Sequence, residues 1–500
     1  MKKCLGIPVI GRGTTDLRRR SMSQPEPGWG TLFSGANAIR SLALAGGTAL
    51  HAVSVYIAIT ILPSVVKDIG GLDYYAWNTT LFVAASILGA ALSPRLLAVL
   101  GPRGAYVAAA LTFAAGAMAC GLAPTMPVLL LGRLVQGLGG GVMLALSYAM
   151  IRLILPEALW SRGMGLVSAM WGIATLLGPA IGGVFAELGV WRAAFWCAAP
   201  LAVLFALLAA SVLPKRGEAG DRAALPLLQL VLLTVAVLVV SAGSVSADIR
   251  IGIAGLAVAL ALMAALIGVE RRARTRLLPR DIFRLSTPLS RLFVVMSLLT
   301  VTVTGTEIFI PLFLQVLHQQ TPLVSGYLAA LMSAGWSAGS ITSSGAGGRA
   351  AGRAILASPV LALAGMACLA ALVPVAGGGD WALLAPICVA LVCIGLGIGS
   401  AWPHLLTRAL QTAPEDERTL TASSLTTVQM FVTALAAALA GMVANLGGLL
   451  DPGGVAGTAS AARWLFGLVA LAPLLCLPVA LRVGRARPAA RRGHASSAPP

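Results

Sequence analysis

The chain has 500 residues, of which 58% are hydrophobic and only 10% charged, with a mean hydropathy of +0.91. No water-soluble core has that balance, and repeated apolar stretches of bilayer length mark a polytopic membrane protein. A formal charge of +18 and a pI near 10.7 would suit nucleic acid, but the lysines and arginines sit in short loops and tails. That distribution excludes a folded basic domain and makes anionic lipid headgroups, not nucleic acid, their expected neighbours.

Residues 1–40 carry Lys2, Lys3, Arg12, Arg18, Arg19, Arg20 and Arg40, interrupted by Pro and Gly. No short apolar core with a small-residue cleavage site follows, so they are expected to form a cytoplasmic tail and not a signal peptide. Fourteen spans follow: 41–63, 76–94, 104–122, 127–149, 162–186, 192–213, 225–246, 250–269, 289–315, 323–345, 353–375, 381–404, 421–446 and 462–481. The first holds His51, whose imidazole titrates near neutrality in water and is disfavoured as a cation by burial. It is a candidate for proton coupling or a satisfied hydrogen-bonding residue, and Tyr56 is expected at the edge of the same cavity.

The fourth span is apolar except for Arg133. A guanidinium cannot be discharged in hydrocarbon, so it must face protein, a wet cavity or, by snorkelling, the headgroups. Gln136, Gly137, Gly139, Gly140 and Gly141 follow, leaving a helix face almost without side-chain bulk, fit for close helix contact or for room beside a cavity. In the fifth span Pro179 removes a backbone donor, and Gly178, Gly182 and Gly183 remove bulk around it, which predicts a bent helix packed closely on a partner.

Two basic connections, Pro214 to Ala224 and Glu270 to Pro288, bracket the spans 225–246 and 250–269 and set them apart as an insert between two six-helix bundles, 41–213 and 289–481. In the ninth span Glu307 is the sole carboxylate well inside any predicted span. An unpaired carboxyl in low dielectric tends to hold its proton, whereas a cation or water favours ionisation, so a site that alternates between these surroundings loads and releases a proton. Substrate charge recognition and a paired structural acid are the other readings. The tenth span, rich in Ser and Gly, and the thirteenth, opening on a Thr/Ser cluster, are better lined by protein than by lipid.

Trp171, Gln315, Trp336, Trp402, His404 and Gln429 complete the candidate cavity, aromatic faces with polar anchors suiting an amphipathic organic solute. Tryptophan also marks membrane interfaces, the role expected of Trp77, Trp160, Trp191, Trp381 and Trp464. Counting Lys and Arg gives 30 on one side of this parse and four, Lys67, Arg192, Arg250 and Arg463, on the other. The positive-inside tendency therefore puts both termini, including the tail 482–500, in the cytoplasm. No phosphate loop, nucleophile elbow or metal-ligand spacing is visible, and six of the seven cysteines lie in apolar segments, which argues against an enzyme or a metal or disulfide framework.

Four stretches carry a family likeness. Gly132-Arg133-Leu134-Val135-Gln136-Gly137, Gly172 to Gly183 with Gly178-Pro179 and Gly182-Gly183, Leu62-Pro63-Ser64 with Asp68-Ile69-Gly70, and Pro311 to Gln315 resemble motifs of the major facilitator superfamily, specifically its fourteen-helix drug:proton antiporter branch. The resemblance implies an all-α membrane fold and a proton-coupled exporter in a bacterial inner membrane, working as a monomer on small molecules with no cofactor beyond the proton gradient. It also implies a gating role for Gly178, Pro179, Gly182 and Gly183, and for Arg95, Arg103 and Arg349 in the loops after the second and tenth spans. Two departures stand out. Ala98 and Arg349 occupy the positions of the family's loop acids, leaving Arg95, Arg103, Arg349 and Arg353 to meet lipid phosphate or helix C-termini. Ser54 and Ile59 stand where many relatives carry aspartate and asparagine in the first helix.

Overall fold

A computed structural model describes residues 29–215, 226–246, 248–280 and 282–485. The basic residues to Arg20, Cys4, most of the 214–224 connection and the tail beyond Arg485 lie outside the described residues. After a single turn at Trp29–Leu32 come α1 (Gly35–Ile69), α2 (Trp77–Gly121), α3 (Met126–Ile154), α4 (Trp160–Glu187), α5 (Trp191–Trp196) and α6 (Ala198–Val212). Then follow α7 (Leu227–Ser244), α8 (Ile249–Arg272), α9 (Pro288–Leu317), α10 (Pro322–Ser343), α11 (Gly348–Leu372), α12 (Trp381–Thr412), α13 (Arg418–Ala444), α14 (Gly454–Val469) and α15 (Leu471–Arg485).

These helices make fourteen passages. Twelve continuous segments among the described residues are long and apolar enough to cross a membrane, and one of them, Leu72–Gly121, passes twice because it folds back inside α2. The fold is at Gly101, whose φ of 69° lies in the left-handed region where a Cβ is strained. α10 is the remaining passage, and it falls short of the hydropathy the others reach. Two of the expected spans, each one continuous membrane segment, carry a one-residue break in the helix: the sixth at Cys197, between α5 and α6, and the last at Ala470, between α14 and α15. α1 and α12 run past their expected ends, because polar residues beyond the apolar run continue the helix until a breaker arrives. For α1 that breaker is the pair Gly70 and Gly71, at φ 72° and 83°.

α1 to α6 pack as one bundle and α9 to α15 as the other, while α7 and α8 pair with each other and lean on α13 and α2. Phe82 and Ile87 of α2, Leu230, Leu233 and Val237 of α7, and Phe431 of α13 form the apolar contact between insert and bundles. The two tryptophans expected at the membrane interface on α2 and α5 face protein. Trp77 donates to the Ser241 carbonyl at 2.9 Å, and Trp191, only 3% exposed, donates to Asp68 Oδ2 at 3.1 Å. Each buried indole N–H thus finds an acceptor. Trp381 and Trp464 are exposed.

The bundles meet at the end where α1 stops at Gly70. There the Glu187 carboxylate accepts from the Leu323 N–H at 3.3 Å, Tyr75 stacks on Phe309 at 5.1 Å, and Asn445 Nδ2 donates to the Asp73 carbonyl at 3.1 Å and the Ser244 carbonyl at 2.9 Å. Asn445 thereby ties α13 to the α1–α2 turn and to the end of α7. Asn445→Leu should leave those acceptors unsatisfied and cost about 1–3 kcal/mol. A thermal unfolding midpoint in nanodiscs unchanged from wild type would contradict that role.

Candidate transport site

Among the described residues, α3 carries a guanidinium, Arg133, and α9 a carboxyl, Glu307, that the membrane span makes expensive. α3 begins at Thr125 with Pro127 in its first turn, where the missing N–H costs nothing. Its glycines serve close contact: a Cβ on Gly137 or Gly141 would strike the α2 backbone at Phe82 and Ser86. Ser86 Oγ donates across that contact to the Gly137 carbonyl at 3.0 Å. With the backbones so near, Arg133 is enclosed. It is 1% exposed and so faces protein, which excludes snorkelling.

Its Nη1 donates to Gln136 Oε1 at 2.6 Å and to Ser54 Oγ at 3.1 Å, and its Nε reaches the Asn78 carbonyl at 3.5 Å. The guanidinium carbon lies 4.0 Å from the centroid of the Phe82 ring. Every one of these partners is neutral, and among the described residues Arg133 makes no ion pair. His51 is 4% exposed beside this cluster, with ring centroids 5.1 Å from Phe82 and 6.0 Å from Trp171.

α9 starts at Pro288 behind a Thr287 cap that accepts from Ser290. The hydroxyls of Thr300, Thr302 and Thr306 each donate to the carbonyl four residues back, so the polar run is satisfied within its own helix. Glu307 is half-buried where this run ends. Facing its carboxyl is the hydroxyl of Tyr56, which also stands 3.3 Å from Ser333 Oγ. Three helices, α1, α9 and α10, from two bundles, therefore converge on the Tyr56 hydroxyl.

His51 and Tyr56, expected to share a cavity, are divided between these clusters. Trp336 and Trp402 form a tilted pair at 5.0 Å, Gln315 is held by Ser325 Oγ at 2.9 Å, and Gln429 is exposed on α13. Gly178 abuts Tyr56, Gly182 abuts Ile57 and Thr60, Gly183 abuts Leu323, and Pro179 lies against Gly326, so the α4 element fills the seam between α1 and α10. Arg95, Arg349 and Arg353 are exposed and Arg103 half-buried at the opposite end, none of them ion-paired among the described residues. Asn78, Phe82 and Ser333 escaped the sequence reading. A polar Asn-Thr-Thr run opening α2 was the one available signal for Asn78; the others are set by packing.

The profile of the Major Facilitator Superfamily matches residues 44–437. The chain belongs to the major facilitator superfamily. It is therefore a secondary transporter and not an enzyme. A probable multidrug-efflux transporter of Mycobacterium tuberculosis (strain H37Rv) is 37% identical over 419 residues, covering 81% of this chain and 87% of its own length. Among solved structures, a POT family transporter in complex with 5-aminolevulinic acid superposes with a TM-score of 0.63 at 15% identity, covering 89% of this chain and 96% of that one. A D-xylose-proton symporter gives 0.61 at 14% identity, covering 88% and 97%. At such identities the likeness is one of fold, and it matches the two-bundle architecture of this superfamily member. Among the described residues no three His, Cys, Asp or Glu side chains gather to hold a metal.

Proposed function

We propose that this protein is a proton-coupled exporter of amphipathic small organic molecules, of the fourteen-helix drug:proton antiporter kind, working by alternating access in a bacterial inner membrane. The observation that carries the reading is the meeting of Glu307, Tyr56 and Ser333 across the two bundles. A carboxyl held between bundles changes surroundings when they rock, and so is loaded with a proton on one side and relieved of it on the other. The multidrug-efflux naming of the mycobacterial relative supports export. Placing the 30 basic residues inside makes the Gly70 end the outer one, so in that orientation the contacts at that end seal the outer face.

Proteoliposomes containing the protein and a panel of cationic, neutral and anionic solutes test the reading. Under an imposed proton gradient the solute should move against proton flow, and movement with proton flow would overturn export. Uptake of an organic anion is the competing reading, favoured by Arg133, and the same vesicles separate the two by direction. Tyr56→Phe deletes the hydroxyl shared by Ser333 and Glu307. It should slow gradient-driven flux about tenfold while leaving equilibrium solute binding intact, on the scale of a lost hydrogen bond to a charged group. Flux equal to wild type across pH 6–8 would remove Tyr56 from the coupling site.

A further inference from the structure

The Arg133 cluster carries a charge that its own residues do not balance. The guanidinium is enclosed by α1, α2 and α3, its hydrogen bonds come from Nε and Nη1, and each goes to a neutral oxygen. Glu307 faces Tyr56 on a different side of α1. A buried cation without an anionic neighbour is costly, several kcal/mol even after local relaxation, and an aromatic face recovers only about 0.5–2 kcal/mol.

A second, separate observation points to what balances it. Asn78 is 1% exposed and neither its Nδ2 nor its Oδ1 makes a hydrogen bond within the protein. Gln136 is fully buried, and with its Oε1 committed to Arg133 its Nε2 has no partner. The unused Gln136 amide thus stands beside a planar cation whose Nη2 is uncommitted, and the unpaired Asn78 amide belongs to a residue whose backbone carbonyl that cation reaches, donors that match the two oxygens of a carboxylate.

We infer that the Arg133 pocket binds a carboxylate, supplied either by a small free acid or by the acid group of a transported solute. The pocket lies in the first bundle, apart from Glu307, so the inference extends the transport reading without depending on it. The bound anion takes the place of a protein carboxylate, and Ser54 Oγ, 3.1 Å from Nη1, marks where such a group would sit on α1.

The test uses purified full-length protein in nanodiscs of neutral lipid, with halide and carboxylate replaced by a bulky sulfonate. Trp171, close to His51, reports on the pocket by its fluorescence, and thermal unfolding gives an independent readout. Benzoate and acetate are titrated beside an amphipathic carboxylic acid and its amide. Wild type should respond saturably to carboxylates and not to the amide. A response to acetate and benzoate identifies a free acid as the ligand, and a response to the amphipathic acid alone identifies the solute's own group. Ser54→Asp supplies the anion internally and should abolish the response. Asn78→Leu removes an amide donor but keeps the backbone carbonyl that Arg133 uses, and should weaken carboxylate binding about tenfold. Glu307→Gln should bind as wild type does, which separates this result from any failure of the coupling mechanism. No saturable response to any acid, or equal responses to acid and amide, would overturn the inference. If Ser54→Asp fails to fold, the Asn78→Leu comparison decides: an affinity unchanged there overturns it equally.

Discussion

Glu307→Gln is expected to reduce proton-driven export about 100-fold, the scale on which a missing proton carrier slows a proton-dependent step. The amide has nearly the shape of the protonated acid and can still meet the Tyr56 hydroxyl, so the α1–α9 contact should persist and the protein should fold. What is lost is the capacity to change charge. The variant should therefore still bind solute and exchange it down its own gradient while failing to respond to an imposed pH difference. Full pH-driven export by this variant would remove Glu307 as the coupling site and leave the topology untouched.

Gly183→Ala should hold the protein away from the form described here. A Cβ at this position falls 2.5 Å from the Leu323 Cα and 3.0 Å from its Cβ, at the first turn of α10. The backbone of a packed helix gives way poorly, and overpacking costs about 1–3 kcal/mol. If that strain falls on the closed seam alone, the balance between forms shifts by about five- to 150-fold. Thr60 is 2% exposed beneath the same seam, with Gly182 and Gly326 against it. Thr60→Cys in a cysteine-free background therefore reports the opening: an impermeant maleimide added outside should label it slowly alone and about tenfold faster with Gly183→Ala. Equal labelling rates would show that the α4–α10 contact does not govern access.

The spans were readable because a membrane helix needs a long apolar run and little else, and most of the fourteen runs are set apart by charged connections. Arg133 and Glu307 stood out for the same reason, as charges where hydrocarbon forbids them. Their partners did not. Tyr56 and Ser333 are 277 positions apart, and nothing in either neighbourhood specifies that the two hydroxyls lie 3.3 Å apart. Phe82 is one apolar residue among many until the glycines of α3 bring α2 close enough for its ring to meet a guanidinium. The breaks at Cys197 and Ala470 each sit three residues before a proline, Pro200 and Pro473, whose missing N–H deprives the carbonyl four residues back of its helical partner. Local chemistry specified the helices and the charges, while the pairing of charges with neighbours was decided by packing between distant segments.

α10 is the passage whose own side chains give it the weakest claim on lipid, and it is wedged between α4 and α12. Such a segment leaves the translocation machinery poorly able to partition alone, and its retention depends on segments made before and after it. α4 is already synthesised at that moment, but α12 is not. The nascent chain must therefore shelter α10 against its earlier neighbours until synthesis has passed Thr412, so biogenesis of the second bundle is a cooperative step rather than a sequence of independent insertions.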